Sequence, residues 1–142
     1  MAQNILAPGR NYELDSTRVV ASDTEPGRCV KLDGNERWAL TASGDSGPNV
    51  ERQLAIVTPN YTFGGDNDTI VKGRTRACVA RIGTGQRARV RVSHNANLNA
   101  GDPVQYGSSG RLTNAASANT PQAFLDEDYR ANSTDLFWVV GA

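Results

Sequence analysis

The feature that most constrains this chain is the stretch from Gly73 to Val92, GRTRACVARIGTGQRARVRV, in which two runs alternating apolar residues with arginine flank Gly83-Thr84-Gly85. In the second run Arg87, Arg89 and Arg91 fall on one side of an extended chain and Ala88, Val90 and Val92 on the other. A side-chain period of two marks a half-buried β-strand, and paired glycines between two such runs predict a hairpin turn. The expected unit offers an apolar face to a core and an arginine face to a partner. No acidic residue falls in this stretch although the formal net charge of the whole chain is zero, so positive charge is concentrated by position.

The remainder of the 142 residues agrees with a β-rich chain. Short β-like runs appear at 18–21, 28–32, 38–41, 53–58, 69–72, 74–82, 86–92, 103–106 and 136–140. Turn clusters such as Asp33-Gly34-Asn35, Gly64-Gly65-Asp66-Asn67 and Gly107-Ser108-Ser109-Gly110 separate them. Regularly punctuated short strands predict an all-β fold, a small β-barrel or β-sandwich. Helix is expected only as single turns near 115–118 and 126–131. Residues 1–12 read as an extended N-terminal arm and 13–142 as one β-rich domain. Val79, Ile82, Val90, Val92, Leu54, Ile56 and Val104 are the expected core.

An internal repeat is visible. Pro26–Ser43 aligns without gaps to Ala100–Ser117, sharing Gly27/Gly101, Val30/Val104, Arg37/Arg111, Ala42/Ala116 and Ser43/Ser117. Beyond it, Gln53–Val57 matches Gln122–Leu125 in place, and Thr69–Gly73 parallels Phe137–Gly141. The alignment predicts two related β units, about 26–73 and 100–141, unless it reflects only the similarity of glycine-rich hairpins.

Motifs that suggest chemistry do not assemble into a site. Gly44-Asp45-Ser46-Gly47-Pro48 has the composition of a serine-protease nucleophile loop, but that chemistry needs a histidine base and a buried aspartate, and the single histidine, His94, lies in an Asn-rich loop after the serine. Gly83–Ala88 fits the dinucleotide-binding glycine pattern, yet the next residues alternate with period two rather than opening a helix. His94 lacks neighbours for a zinc site. The cluster Asp126-Glu127-Asp128 lacks the spaced oxygen ligands of a calcium loop and reads as solvated surface or as a partner for arginines of a neighbouring subunit. The expectation is a non-enzyme with no metal and no cofactor. Cys29 and Cys78 are expected to be free. The amino terminus predicts no secretory leader, so the sequons at Asn60, Asn67 and Asn132 are read as polar loops, and no run suits a membrane span.

Thirteen of the fifteen cationic residues are arginine. Arginine suits planar, bidentate contacts with carboxylates or phosphates. The stripe could be a solvated face, a phosphate-binding surface, or a docking surface for acidic protein. No aromatics are interleaved with it and the sequence pI is about 6.6, which speaks against a nucleic-acid partner.

Gly101-Asp102-Pro103-Val104 followed by Gly110-Arg111-Leu112, and the ending formed by Ala123–Asp128, a polar loop at 131–134 and Leu136–Val140, resemble the capsid decoration (cement) proteins of tailed bacteriophages. The resemblance implies a homotrimer on the outer surface of the virion, made in the host cytoplasm, whose partner is the major capsid protein lattice. It implies that the chain clamps neighbouring capsomers and stabilises the expanded head. On that reading Gln3, Asn4, Ile5 and Leu6 are disordered in solution and order on the capsid by adding a strand to a neighbour. Arg74, Arg76, Arg87, Arg89 and Arg91 pair with carboxylates of the capsid or an adjacent subunit. Trp38, Phe137 and Trp138 are anchors of the oligomer interface, or else core. The alternative is a glycan- or receptor-binding β module using loop Asn and Asp residues with Tyr61 and Trp38.

Overall fold

The computed structural model describes residues 5–7, 12–47, 53–59, 69–93, 98–128 and 135–142. Within them the fold is all-β, with ten strands in three antiparallel sheets. The strands are β1 (Glu13–Asp15), β2 (Val30–Leu32), β3 (Trp38–Leu40), β4 (Leu54–Thr58), β5 (Cys78–Ile82), β6 (Arg87–Arg91), β7 (Pro103–Tyr106), β8 (Leu112–Asn114), β9 (Ala123–Leu125) and β10 (Leu136–Gly141). Single 3₁₀ turns lie at Ser43–Asp45 and Ser108–Gly110; the helical turn expected near 115–118 does not form, and the one expected near 126–131 lies partly outside the described residues.

The expected hairpin at Gly83–Gly85 does not form. β5 lies between β1 and β4 in one sheet, whereas β6 is the edge of another ordered β6-β10-β9-β7-β8. The connection is instead a corner between sheets. Gln86 closes it by accepting the Gly83 N–H on its side-chain oxygen at 2.7 Å, and Gly85 N–H donates to the Gly141 carbonyl at 2.9 Å. A Cβ on Gly141 would collide with the Gly83 carbonyl oxygen, so the corner packs on the last strand backbone to backbone.

The corner joins two copies of one motif. The β2–β3 register (Val30↔Leu40, Lys31↔Ala39, Leu32↔Trp38) recurs in β7–β8 (Val104↔Asn114, Gln105↔Thr113, Tyr106↔Leu112) at a constant displacement along the chain. Gly27 N–H donates to the Val57 carbonyl and Val57 N–H to the Arg28 carbonyl; Gly101, Leu125 and Asp102 repeat the arrangement. β4 pairs with β5 as β9 pairs with β10, and β1 joins β5 as β6 joins β10. Parallel bridges Val20↔Trp38 and Val92↔Leu112 then link the first strand region of each repeat to its third strand. The repeats therefore span 13–82 and 87–141. The sequence alignment identified their β2–β3 and β7–β8 parts. It mispaired the last strand, because the counterpart of β10 is β5, and Thr69–Gly73 contributes only the bridge Thr24↔Val71.

Equivalent positions fill both interiors. Val20, Val30, Trp38, Ala55, Val57, Ala77 and Val79 in the first repeat correspond to Val92, Val104, Leu112, Ala123, Leu125, Phe137 and Val139 in the second. The large aromatic sits on β3 in one and on β10 in the other, opposite a smaller partner each time, a swap that roughly conserves volume. The seven core residues expected from sequence are all buried. Cys29 and Cys78 are free, and burial pushes the Cys29 thiol up, far above its ordinary value.

Candidate functional site

The arginine stripe divides into three environments. Arg74 and Arg76 precede β5 on the first repeat and are exposed; Arg74 adopts φ +66° in a turn, so the strand expected from residue 74 begins only at Cys78. Arg87 and Arg89 lie on the outer face of β6. Their registers with Val140 and Trp138 bring both guanidinium groups over the Trp138 ring, at 4.7 and 4.3 Å from its centroid. Such stacking uses the guanidinium face, so an N–H edge can pair with a carboxylate at the same time, as Arg87 does. Arg87 Nε meets Asp126 at 2.6 Å, so this carboxylate pairs with an arginine of its own chain. Glu127 accepts the Trp138 backbone N–H at 2.9 Å and Asp128 accepts the Ala100 backbone N–H at 3.0 Å.

Arg91 follows the same period but is only 3% exposed. Its Nε donates to the Pro26 carbonyl at 2.8 Å, its NH1 lies 3.5 Å from Glu25, and its backbone N–H donates to Gly27. Gly27 packs so closely that a Cβ there would meet Leu136 Cδ2 at 2.6 Å. Arg91 is thus a seam residue between the repeats, placed where alternation alone indicates solvent. The second seam is the loop of the β7–β8 hairpin: Cys29 N–H donates to Gly110 at 2.7 Å and Gly110 N–H to Thr41 at 2.9 Å.

The arm residues are also placed differently from expectation. Ile5 is fully buried, its carbonyl accepts the Arg89 N–H at 2.7 Å, and Leu6 bridges Ala88. They cover the free edge of β6 in their own chain rather than waiting for a neighbour's sheet. Gln3, Asn4, Tyr61 and His94 lie outside the described residues. Trp38 and Phe137 are buried in the two interiors, which leaves Trp138, half-buried beneath Arg87 and Arg89, as the one of the three aromatic anchors outside them.

Sequence reasoning missed an apolar row on the outer face of the second repeat. Register places Pro103 beside Phe124, Phe124 beside Val140, and Val140 beside Arg87. Phe124 is 39% exposed, Pro103 is exposed and Val140 half-buried. The signal was present in Ala123-Phe124-Leu125, where alternation turns Phe124 away from its buried neighbours. Among the described residues no group of three or more His, Cys, Asp or Glu side chains could hold a metal ion. No protein-family model matches the sequence, and comparison with curated proteins finds no match.

Proposed function

We propose that this chain is a structural protein that binds the outside of an icosahedral phage capsid as a homo-oligomer, a trimer by its resemblance to decoration proteins, and stabilises the expanded head by clamping neighbouring capsomers. The observation that carries the reading is the Arg87–Trp138–Arg89 stack. It sets two cationic groups and an aromatic ring on a sheet face beside apolar side chains, the composition of a protein-docking surface. Arg74 and Arg76 add exposed cationic groups on the other repeat. A doubled β framework with a buried seam suits a part that transmits load between neighbours, and several modest contacts per oligomer would add through multivalency. The glycan-binding alternative needs an aromatic ring with an open face. Of the two rings that alternative would use, Trp38 is in the core and Tyr61 lies outside the described residues, so the described residues favour docking to protein.

The test is co-sedimentation with heads built from the cognate capsid protein. The protein is expected to pellet with expanded heads and to stay in solution with unexpanded shells. The triple variant Arg74→Ser, Arg76→Ser, Arg89→Ser is expected to bind more weakly, with a shallower dependence on salt. Failure of the wild-type protein to pellet with either shell refutes the capsid reading.

A further inference from the structure

The two repeats treat the same sheet face in opposite ways. In the first, the cross-strand row is Cys29–Ile56–Ala80; Cys29 bridges Ile56, and Ile56 pairs with Ala80. The equivalent row in the second is Pro103–Phe124–Val140. Cys29, Ile56 and Ala80 are all fully buried, and they belong not to the interior of their own repeat but to the cluster that includes the second repeat's core. The face of the first repeat is therefore covered by the second. The face of the second repeat keeps its apolar character, with a larger side chain at two of the three positions, and among the described residues nothing buries Phe124 or Pro103.

We infer that the Pro103–Phe124–Val140 face is the subunit interface, covered in the assembled protein by a second copy of this chain. The chain supplies its own precedent, since the first repeat's version of this face is seated on a copy of the same fold. The rim agrees. Arg87 borders the row on one side and is neutralised by Asp126 at 2.6 Å, so this edge of the patch brings no net charge against another copy of the same chain. A row of large apolar side chains within a rim of ion-pairing groups is the usual anatomy of such contacts.

The contact is not the intrachain seam continued. Pro103 stands where Cys29 supplies its N–H to Gly110, and proline has no N–H to give. Glu36, with φ +58°, stands where Gly110 approaches the first repeat, and a Cβ on Gly110 would lie 2.7 Å from the Cys29 carbonyl oxygen. Both ends of a repeated seam are blocked, which prevents copies from stacking indefinitely in that geometry.

This deepens the homo-oligomer part of the proposed function, and its test needs no capsid. The mass of the purified full chain is measured by light scattering and sedimentation across a hundredfold range of concentration. Wild-type protein is expected to plateau at a small multiple of 15.2 kDa. Phe124→Glu is expected to run at the monomer mass with an unchanged circular dichroism spectrum. Phe124→Ala, which removes bulk without adding charge, is expected to raise the dissociation constant at least tenfold and decides the matter if Phe124→Glu fails to fold. Leu14→Glu, on the exposed face of β1, is expected to leave the mass unchanged. Wild-type protein that is monomeric throughout, or a Phe124→Ala variant that associates as tightly as wild type, overturns the inference. Oligomeric protein that ignores heads refutes only the capsid reading; a monomeric Phe124→Glu that still pellets with heads leaves that reading standing.

Discussion

Gly27 and Gly101 hold the same position in the two repeats, with φ of +89° and +90°, and so form a matched pair for measuring the seam. Replacing either by alanine incurs the same backbone strain, about 1–2 kcal/mol for a left-handed conformation bearing a Cβ. At Gly101 that is the whole cost, because nothing lies within 4 Å of the added carbon. At Gly27 the carbon meets Leu136 Cδ2 at 2.6 Å and Arg91 Cγ at 3.3 Å. Leu136 is buried and the Arg91 head is tied to Pro26 and Glu25, so neither moves without disturbing its neighbours. Overpacking of this kind adds about 1–3 kcal/mol. Gly27→Ala should therefore lose about 2–5 kcal/mol and Gly101→Ala about 1–2 kcal/mol. Urea unfolding of both variants at one fixed protein concentration, with m-values compared, measures the difference. At roughly 2–4 °C per kcal/mol the gap should also appear as a Tm difference of about 2–12 °C. Losses equal within about 0.5 kcal/mol, or a larger loss at Gly101, would refute the close packing of the seam.

Two further outcomes test its other parts. Ile5→Ala should destabilise by about 2–4 kcal/mol in the same assay, because a fully buried isoleucine is truncated; a change below about 0.5 kcal/mol would show that the arm is not seated on β6. The Glu25 carboxyl is held below its usual value, chiefly by the hydrogen bond from the Arg28 side chain, with burial opposing and the charges of Arg91 and Arg28 assisting. Its contribution is then complete above the unfolded value near 4.5 and is lost as pH falls through the lower folded value. Glu25→Gln should accordingly flatten the decline of stability below pH 4.5, and an unchanged acid slope would contradict the pairing.

The strands that read clearly from sequence are those whose side chains alternate against a core, such as Gln86–Val92 and Leu136–Val140. Their burial follows from the period alone. Strand partners are non-local and do not follow from it: two alternating runs joined by Gly83-Thr84-Gly85 have the local signature of a hairpin, yet each finds its partners elsewhere, β5 in β1 and β4 and β6 in β10. β1 left no signal, since Glu13-Leu14-Asp15 has a single apolar residue, 56% exposed, and is held by its ladder with β5. The repeat was legible where the two copies keep one spacing and was lost where they diverge. The connection from β4 to β5 spans 59–77 and that from β9 to β10 only 126–135, so Thr69–Gly73 came to lie opposite the final strand although β5 is its counterpart. In the arginine stripe, alternation correctly separated inward from outward side chains. It could not show that the outward face at Arg91 is covered by Pro26 and Gly27, which the chain returns from sixty-odd positions away.

In both repeats the first strand pairs with the last, β1 with β5 and β6 with β10. A chain emerging from the ribosome cannot complete the first repeat until Ile82 is available, and β1 must wait through the synthesis of everything between. Ladders that join sequence-distant strands form slowly, because the loop must close before any contact rewards it. The waiting strand is short and carries a negative charge on either side of Leu14, a composition that discourages pairing with the wrong chain. The two charges that weaken the strand signal of β1 thus also disfavour its pairing with a wrong edge before Ile82 is available.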